Sequence, residues 1–177
     1  MEAYGKAITI REQLSKEHPD VPLYASGLAA SYSNLGVLLR STGKPDEALE
    51  AYAKAITIRE QLSKKHPDVP EYANDVAGTC INSGPLEQSR WRYSEAISYY
   101  ESSLELIQSL KENGQLARWL AGWDEEVEQR IALCRAAIRA AVDLPFVSVQ
   151  PSPLACKLLR ARGMFRLPVP CSHLPVP

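Results

Sequence analysis

Residues 46–65 carry apolar side chains at the spacing of an amphipathic α-helix. One helical face recurs at intervals of four, three, four and three residues. Its members are Ala48, Tyr52, Ala55, Arg59 and Leu62, with Leu49 and Ile56 beside them. The same reasoning predicts helices at about 2–17, 22–42, 46–65, 70–84 and 93–112, joined by short polar turns.

Local signals place the ends of these helices. Pro67 stops the third helix, because proline lacks an amide and disfavours helix in the residue before it. Asp20 and Asp68 are the expected N-caps of the two helices that follow them. Gly84 and Pro85 predict a break in the fourth helix near residues 83–85.

The chain repeats itself with a period of 48 residues. Residues 2–22 return as residues 50–70 with only two changes, and Asn34 falls on Asn82 without any insertion. Such fixed-period similarity is typical of a stacked array, in which each unit buries its apolar face against its neighbours. We therefore predict an all-α fold, an α-α superhelix built from helical hairpins.

The repeat divides the chain into three regions. The array is predicted at 1–113, as a partial unit 1–20, a full unit 21–68 and a degenerate unit 69–113. A C-terminal capping helix is predicted within 114–143, since a half-polar last helix closes the exposed end of an array. The apolar face of this helix comprises Val127, Ile131, Cys134 and Ile138. The remainder, 144–177, holds seven of the 13 prolines and is basic, which predicts a largely disordered tail.

The spacing of large and small residues in the second unit matches the tetratricopeptide repeat signature. The matching positions are Tyr32, Leu35, Gly36, Leu39, Ala48, Tyr52 and Ala55. Small residues are needed where two helices cross closely, and Tyr52 is large where the next hairpin must be filled. The chain thus resembles tetratricopeptide repeat proteins over about residues 2–112. The match is weaker in the third unit, where Cys80 and Ser83 replace the first two positions.

The long period narrows the resemblance further. The segments AITIREQL and HPDVP are similar to the long-helix repeats of kinesin light chains. They also resemble 48-residue bacterial arrays, some of them fused behind serine/threonine kinase domains. In kinesin-light-chain-like repeats, the asparagine before the Leu-Gly pair faces the concave groove and contacts peptide backbone. The resemblance implies this role for Asn34 and Asn82.

The first helices of tetratricopeptide hairpins line the inner groove, so the resemblance implies one binding patch on each of two helices. The first patch is Ala30, Ser33, Asn34, Val37 and Arg40, and the second patch is Gly78, Ile81, Asn82, Pro85 and Gln88. An amide suits the unpaired backbone groups of an extended peptide, because it has both donors and an acceptor. The predicted peptide-binding residues are Asn34, Asn82, Arg40, Val37, Ser33 and Ile81. In the alternative interpretation, the two asparagines satisfy neighbouring helix groups and Arg40 is a solvated helix-end cation.

We predict no catalytic, cofactor or metal site. The sequence lacks a phosphate-binding loop, GxSxG and HExxH, and its histidines have no second ligand at metal spacing. The tripeptide His-Pro-Asp, known from J-domain co-chaperones, occurs at 18–20 and 66–68, where a helix stop followed by a helix start explains it. The net charge of -1 gives no general attraction for nucleic acid or acidic membranes, and no stretch approaches the roughly 20 apolar residues of a membrane span.

These observations favour a non-catalytic interaction scaffold with a peptide or protein ligand. The four scattered cysteines and an N-terminus without a signal-peptide pattern favour a cytoplasmic location. Two alternatives stay open. The apolar face of the first helix, on Tyr4, Ala7, Ile8 and Leu14, could pair with a second copy as a homodimer. The chain could also be a detached regulatory segment of a larger signalling protein such as a serine/threonine kinase, since its first unit begins at a second helix.

Overall fold

The computed structural model describes residues 2–143, and all regular secondary structure within this range is helical. The elements are α1 (Glu2–Glu17), α2 (Pro22–Ser41), α3 (Pro45–Lys65), α4 (Pro70–Ser89), α5 (Tyr93–Glu112), a 3-10 turn (Arg118–Leu120) and α6 (Trp123–Asp143). The first five helices pack in chain order, α1 on α2, α2 on α3, α3 on α4 and α4 on α5, most extensively α2 on α3 and α4 on α5. The predicted all-α solenoid of helical hairpins is confirmed. The predicted tail, 144–177, lies outside the described residues.

Prolines, not aspartates, set the start of the helices. α2, α3 and α4 each have a proline in the first turn, where its missing amide removes no helical hydrogen bond. The prediction that Asp20 and Asp68 act as N-caps is wrong. Val21 and Val69 occupy the N-cap positions, and neither makes a side-chain capping bond.

α4 continues through Pro85, so the predicted break at residues 83–85 is wrong. A proline inside a helix removes a backbone hydrogen bond and costs about 3 kcal/mol. Here, both neighbours of the proline are closely packed: Gly84 lies beneath the ring of Tyr100, and Leu86 is buried. Tertiary contacts therefore override the local tendency to end the helix.

The repeat preserves one tight helix crossing in each hairpin. A Cβ built on Gly36 would lie 2.6 Å from the ring of Tyr52, and one on Gly84 would lie 2.3 Å from the ring of Tyr100. Both tyrosines are completely buried. The small residue is therefore required where the first helix of a hairpin crosses the second.

The repeat also preserves a polar contact between helices. The guanidinium of Arg11 donates to the hydroxyl of Ser31, and Arg59 donates to the hydroxyl of Thr79 at 2.7 Å. Arg59 is 7% exposed and pairs with Asp75 at 3.3 Å. Burial lowers the pKa of Arg59, and the negative charge of Asp75 acts in the opposite direction. This buried, paired cation links α3 to α4.

α6 covers the second hairpin. Its residues Val127, Ile131 and Cys134 are buried in a core shared with α4 and α5, while Ile138 is half-buried. Two ion pairs connect α6 to α5, Lys111–Asp124 at 2.7 Å and Arg135–Glu101 at 2.8 Å. Because both pairs are largely exposed, the buried apolar face is the main contribution to this packing.

Candidate protein-binding surface

The first predicted patch lies on a partly exposed face of α2. A stripe of residues follows this face at alternating intervals of four and three, and it comprises Leu23, Gly27, Ala30, Asn34, Val37 and Ser41. We call it the α2 stripe. Leu23 is 74% exposed and Val37 is 42% exposed. Asn34 is exposed too, and its amide has no hydrogen-bond partner within the described part of the chain. Ser33 is half-buried beside the stripe.

Arg40 adds a positive charge at the C-terminal end of this face. Its side chain is exposed and lies near the buried hydroxyl of Tyr52. Burial raises the pKa of Tyr52, and the charge of Arg40 partly offsets this effect. The Tyr52 hydroxyl has no hydrogen-bond partner among the described residues, whereas the hydroxyl of Tyr100 donates to Gln88 at 2.8 Å.

The second predicted patch, on α4, is covered by a later part of the same chain. Asn74 is 3% exposed; it donates to the carbonyl of Gln115 at 3.0 Å and accepts from the amide of Ala117 at 2.8 Å. The ring of Trp119 then lies on Gly78, where an added Cβ would come within 2.6 Å of it. The face of α4 is therefore not an open equivalent of the α2 stripe.

The predicted residues of α4 differ in their availability. Ile81 is 6% exposed and packs in the core with Leu120, so its side chain lies beneath the surface. Gln88 is already bonded to Tyr100 and lies 3.0 Å from the sulfur of Cys134. Asn82 remains half-buried, without a hydrogen-bond partner in the described structure. A ligand role for Asn82 stays a prediction.

Sequence reasoning missed three residues that shape this surface. Leu23 belongs to the stripe, and its spacing of seven and eleven from Ala30 and Asn34 was the available signal. Asn74 and Trp119 order the segment that covers α4. No local pattern indicates these last two contacts, because they join positions far apart in the sequence.

The described residues show no feature of a metal or membrane site. Among residues 2–143, no group of three His, Cys, Asp or Glu side chains is placed to hold a metal ion. No helix in this range is long and apolar enough to cross a membrane. The two described cysteines, Cys80 and Cys134, are free and buried.

The family model of the tetratricopeptide repeat matches residues 28–68. This range includes most of α2, all of α3 and the crossing of Gly36 with Tyr52. Together with the stacked helical hairpins, the match supports a repeat protein of the tetratricopeptide type. No curated protein matches the chain. Solenoids of this class present extended surfaces for interactions with other proteins.

Proposed function

We propose that the chain is a non-catalytic scaffold that binds an extended segment of a partner protein along the α2 stripe. The observation that supports this most strongly is the stripe itself, which combines exposed apolar and amide side chains. The equivalent face of α4 is covered by Trp119 and the residues around it. The proposal therefore places the ligand mainly on one helix.

The length of the stripe sets the size of the ligand. Residues 23 to 41 of a helix extend over about 27 Å, at 1.5 Å per residue. An extended chain advances about 3.3 Å per residue, so about eight ligand residues would lie along the stripe. This is the length of a short linear motif in a partner protein.

The side chains of the stripe define the chemistry of that motif. The amide of Asn34 can bond both a backbone N–H and a backbone carbonyl of an extended ligand. Leu23 and Val37 offer apolar contacts on either side of it. Arg40 favours an acidic ligand group at the C-terminal end of α2. The kinesin-light-chain-like sequence pattern supports the same role for Asn34.

Peptide display against the purified full chain tests this proposal. We expect enriched peptides to combine apolar residues with an acidic residue at one end. Asn34→Ala should weaken binding of such a peptide about tenfold, because the ligand backbone loses hydrogen bonds worth about 1.4 kcal/mol. Asn82→Ala should weaken it less, because Asn82 is only partly exposed.

Gln108→Ala provides the matched control. Gln108 has an exposed side-chain amide on α5. In chain order, α3 and α4 separate this helix from the α2 stripe. Its replacement should leave affinity unchanged. If the enriched peptides bind Asn34→Ala as tightly as the parent, ligand clamping by this amide is wrong.

A further inference from the structure

The turn between α4 and α5 holds a tryptophan in a backbone conformation that normally belongs to glycine. Trp91 has φ of 60°, and its counterpart one repeat earlier, Gly43, has φ of 74°. The backbone bonds are also equivalent. The amide of Trp91 donates to the carbonyl of Gln88 at 3.0 Å, as that of Gly43 donates to Arg40 at 3.2 Å. The fold therefore accepts tryptophan at a position where a left-handed residue ends the helix.

The indole of Trp91 projects into solvent from a well-supported turn. It is 79% exposed, and its ring meets that of Tyr93 edge-on, with centroids 6.2 Å apart. Arg90 and Arg92 flank it, and both lie within 3.7 Å of the buried carboxylate of Glu87. Further carboxylates pair with the same two arginines, Asp46 with Arg90 and Glu95 with Arg92. Since both arginines are already paired with carboxylates, the indole of Trp91 is the side chain of this turn that is available for an intermolecular contact.

The first hairpin carries a cleft that matches the chemistry of an indole. The cleft, about 370 Å³ in volume, lies between α1, α2 and α3, and its apolar walls include Leu28 and Ile58. The hydroxyl of Tyr32 donates to Glu12 inside the cleft, and the ammonium of Lys54 lies 5.1 Å from the centre of the Tyr32 ring. An indole needs apolar contact, an acceptor for its N–H and, favourably, a cation over its face. The cleft supplies all three.

The corresponding surface of the next repeat has different chemistry. Glu101, Ser102 and Glu105 stand where the cleft has Ala53, Lys54 and Thr57, and Cys80 stands in the place of Tyr32. The cation and the aromatic wall are therefore absent from these positions, and two carboxylates are added. This difference makes the first hairpin the specific acceptor.

We propose that Trp91 of one copy inserts into the cleft of a second copy, with its N–H toward Glu12 and its ring under Lys54. The two surfaces differ, so the contact is heterologous and can continue from copy to copy. It also differs from pairing through the apolar face of α1, where Ile8 is buried against Leu28 and Tyr32. The proposal is independent of ligand binding at the α2 stripe.

Sedimentation equilibrium of the full chain tests this association. The parent should change from monomer to larger species between about 1 µM and about 1 mM, the range expected for a contact made by one anchor residue. Trp91→Gly should stay monomeric over the same range. It should also stay folded, because glycine accepts the backbone conformation of this position.

A mixing experiment identifies both halves of the contact. The double variant Lys54→Ser with Thr57→Glu copies the next repeat at two cleft positions, so these residues are compatible with the helix. It should also be monomeric by itself. When mixed with Trp91→Gly, it should form dimers that grow no further, because only one intact indole and one intact cleft are present.

Leu133→Ala is the control for loss of an exposed apolar side chain, since Leu133 is 67% exposed on α6. Its association should equal that of the parent. A parent that stays monomeric at all concentrations would overturn the proposal. So would Trp91→Gly associating like the parent, or a mixture of the two variants that does not form dimers.

Discussion

Gly84 of α4 lies directly against the aromatic ring of Tyr100 of α5. A Cβ on Gly84 would come within 2.3 Å of both Cε1 and Cζ of that ring. Tyr100 is completely buried, and its hydroxyl donates a hydrogen bond to Gln88. Burial and this hydrogen bond both restrict movement of the ring. The glycine is therefore part of the helix crossing that forms the second hairpin.

Gly84→Ala should lower the free energy of unfolding by about 1–2 kcal/mol. Overpacking typically costs 1–3 kcal/mol, which exceeds the gain of about 1 kcal/mol in helix propensity. The control is Gly5→Ala in α1, where no atom lies within 4 Å of the added Cβ. That change should raise stability by about 0.5–1 kcal/mol. Urea denaturation of both variants measures the two effects, and a stabilised Gly84→Ala would show that the crossing is looser than the structure indicates.

Trp91→Gly should be more stable than Trp91→Ala by about 1 kcal/mol. Both variants lack the indole, so they differ only in how well the residue accepts φ of 60°. Denaturation midpoints compare the two directly. Equal stability would mean that the turn relaxes to negative φ when the indole is removed.

Asn74→Ala should release the segment that covers α4. The change leaves the carbonyl of Gln115 and the amide of Ala117 without their partner, which should lower stability by about 2 kcal/mol. Hydrogen exchange of the Ala117 amide should become faster. Asn113→Ala is the control, because Asn113 is exposed and its side chain bonds to the carbonyl of Ser109 in the last turn of α5. If Ala117 exchanges at the same rate in both variants, Asn74 does not hold this segment.

Cys80 should resist alkylation in the folded protein. Burial, with a further contribution from the negative charge of Glu60, raises the pKa of this thiol from 9.0 to about 12. Because the thiolate is the reactive form, iodoacetamide should modify Cys80 at pH 8 only after unfolding in urea. Replacement of Cys156 and Cys171 by serine simplifies the measurement, and mass spectrometry of the Cys80 peptide provides the readout.

The same shift gives stability a pH dependence with a defined sign. The raised pKa favours the protonated thiol in the folded state, so its contribution is complete below the unfolded value of 9.0. The contribution is lost as the pH rises toward about 12. Cys80→Ala should therefore show a shallower loss of stability than the parent between pH 9 and about 12.

The fold was predictable from the sequence because the repeat and the helical period agree. Tyr32, Gly36 and Tyr52 have the spacing that a hairpin crossing requires, and the structure confirms that crossing. The break at Pro85 was predicted wrongly, since a local signal cannot report the burial of Gly84 beneath a ring from another helix.

The candidate surface was predictable only on α2. Asn34 and Val37 share one helical face with residues that are exposed, and periodicity alone shows this. On α4, Ile81 is buried in a core that includes Leu120. Leu120 belongs to the 3-10 turn after α5, far from Ile81 in the sequence. The left-handed Trp91 did have a signal, because the 48-residue register aligns it with Gly43.

Amide chemical-shift mapping of the full chain with a display-selected peptide tests the central claim most directly. We expect the largest changes along the α2 stripe, from Leu23 to Ser41, with the Asn34 side-chain amide among them. Changes confined to the turn at Trp91 or to the cleft at Lys54 would contradict the claim. They would place ligand binding on a surface other than the exposed face of α2.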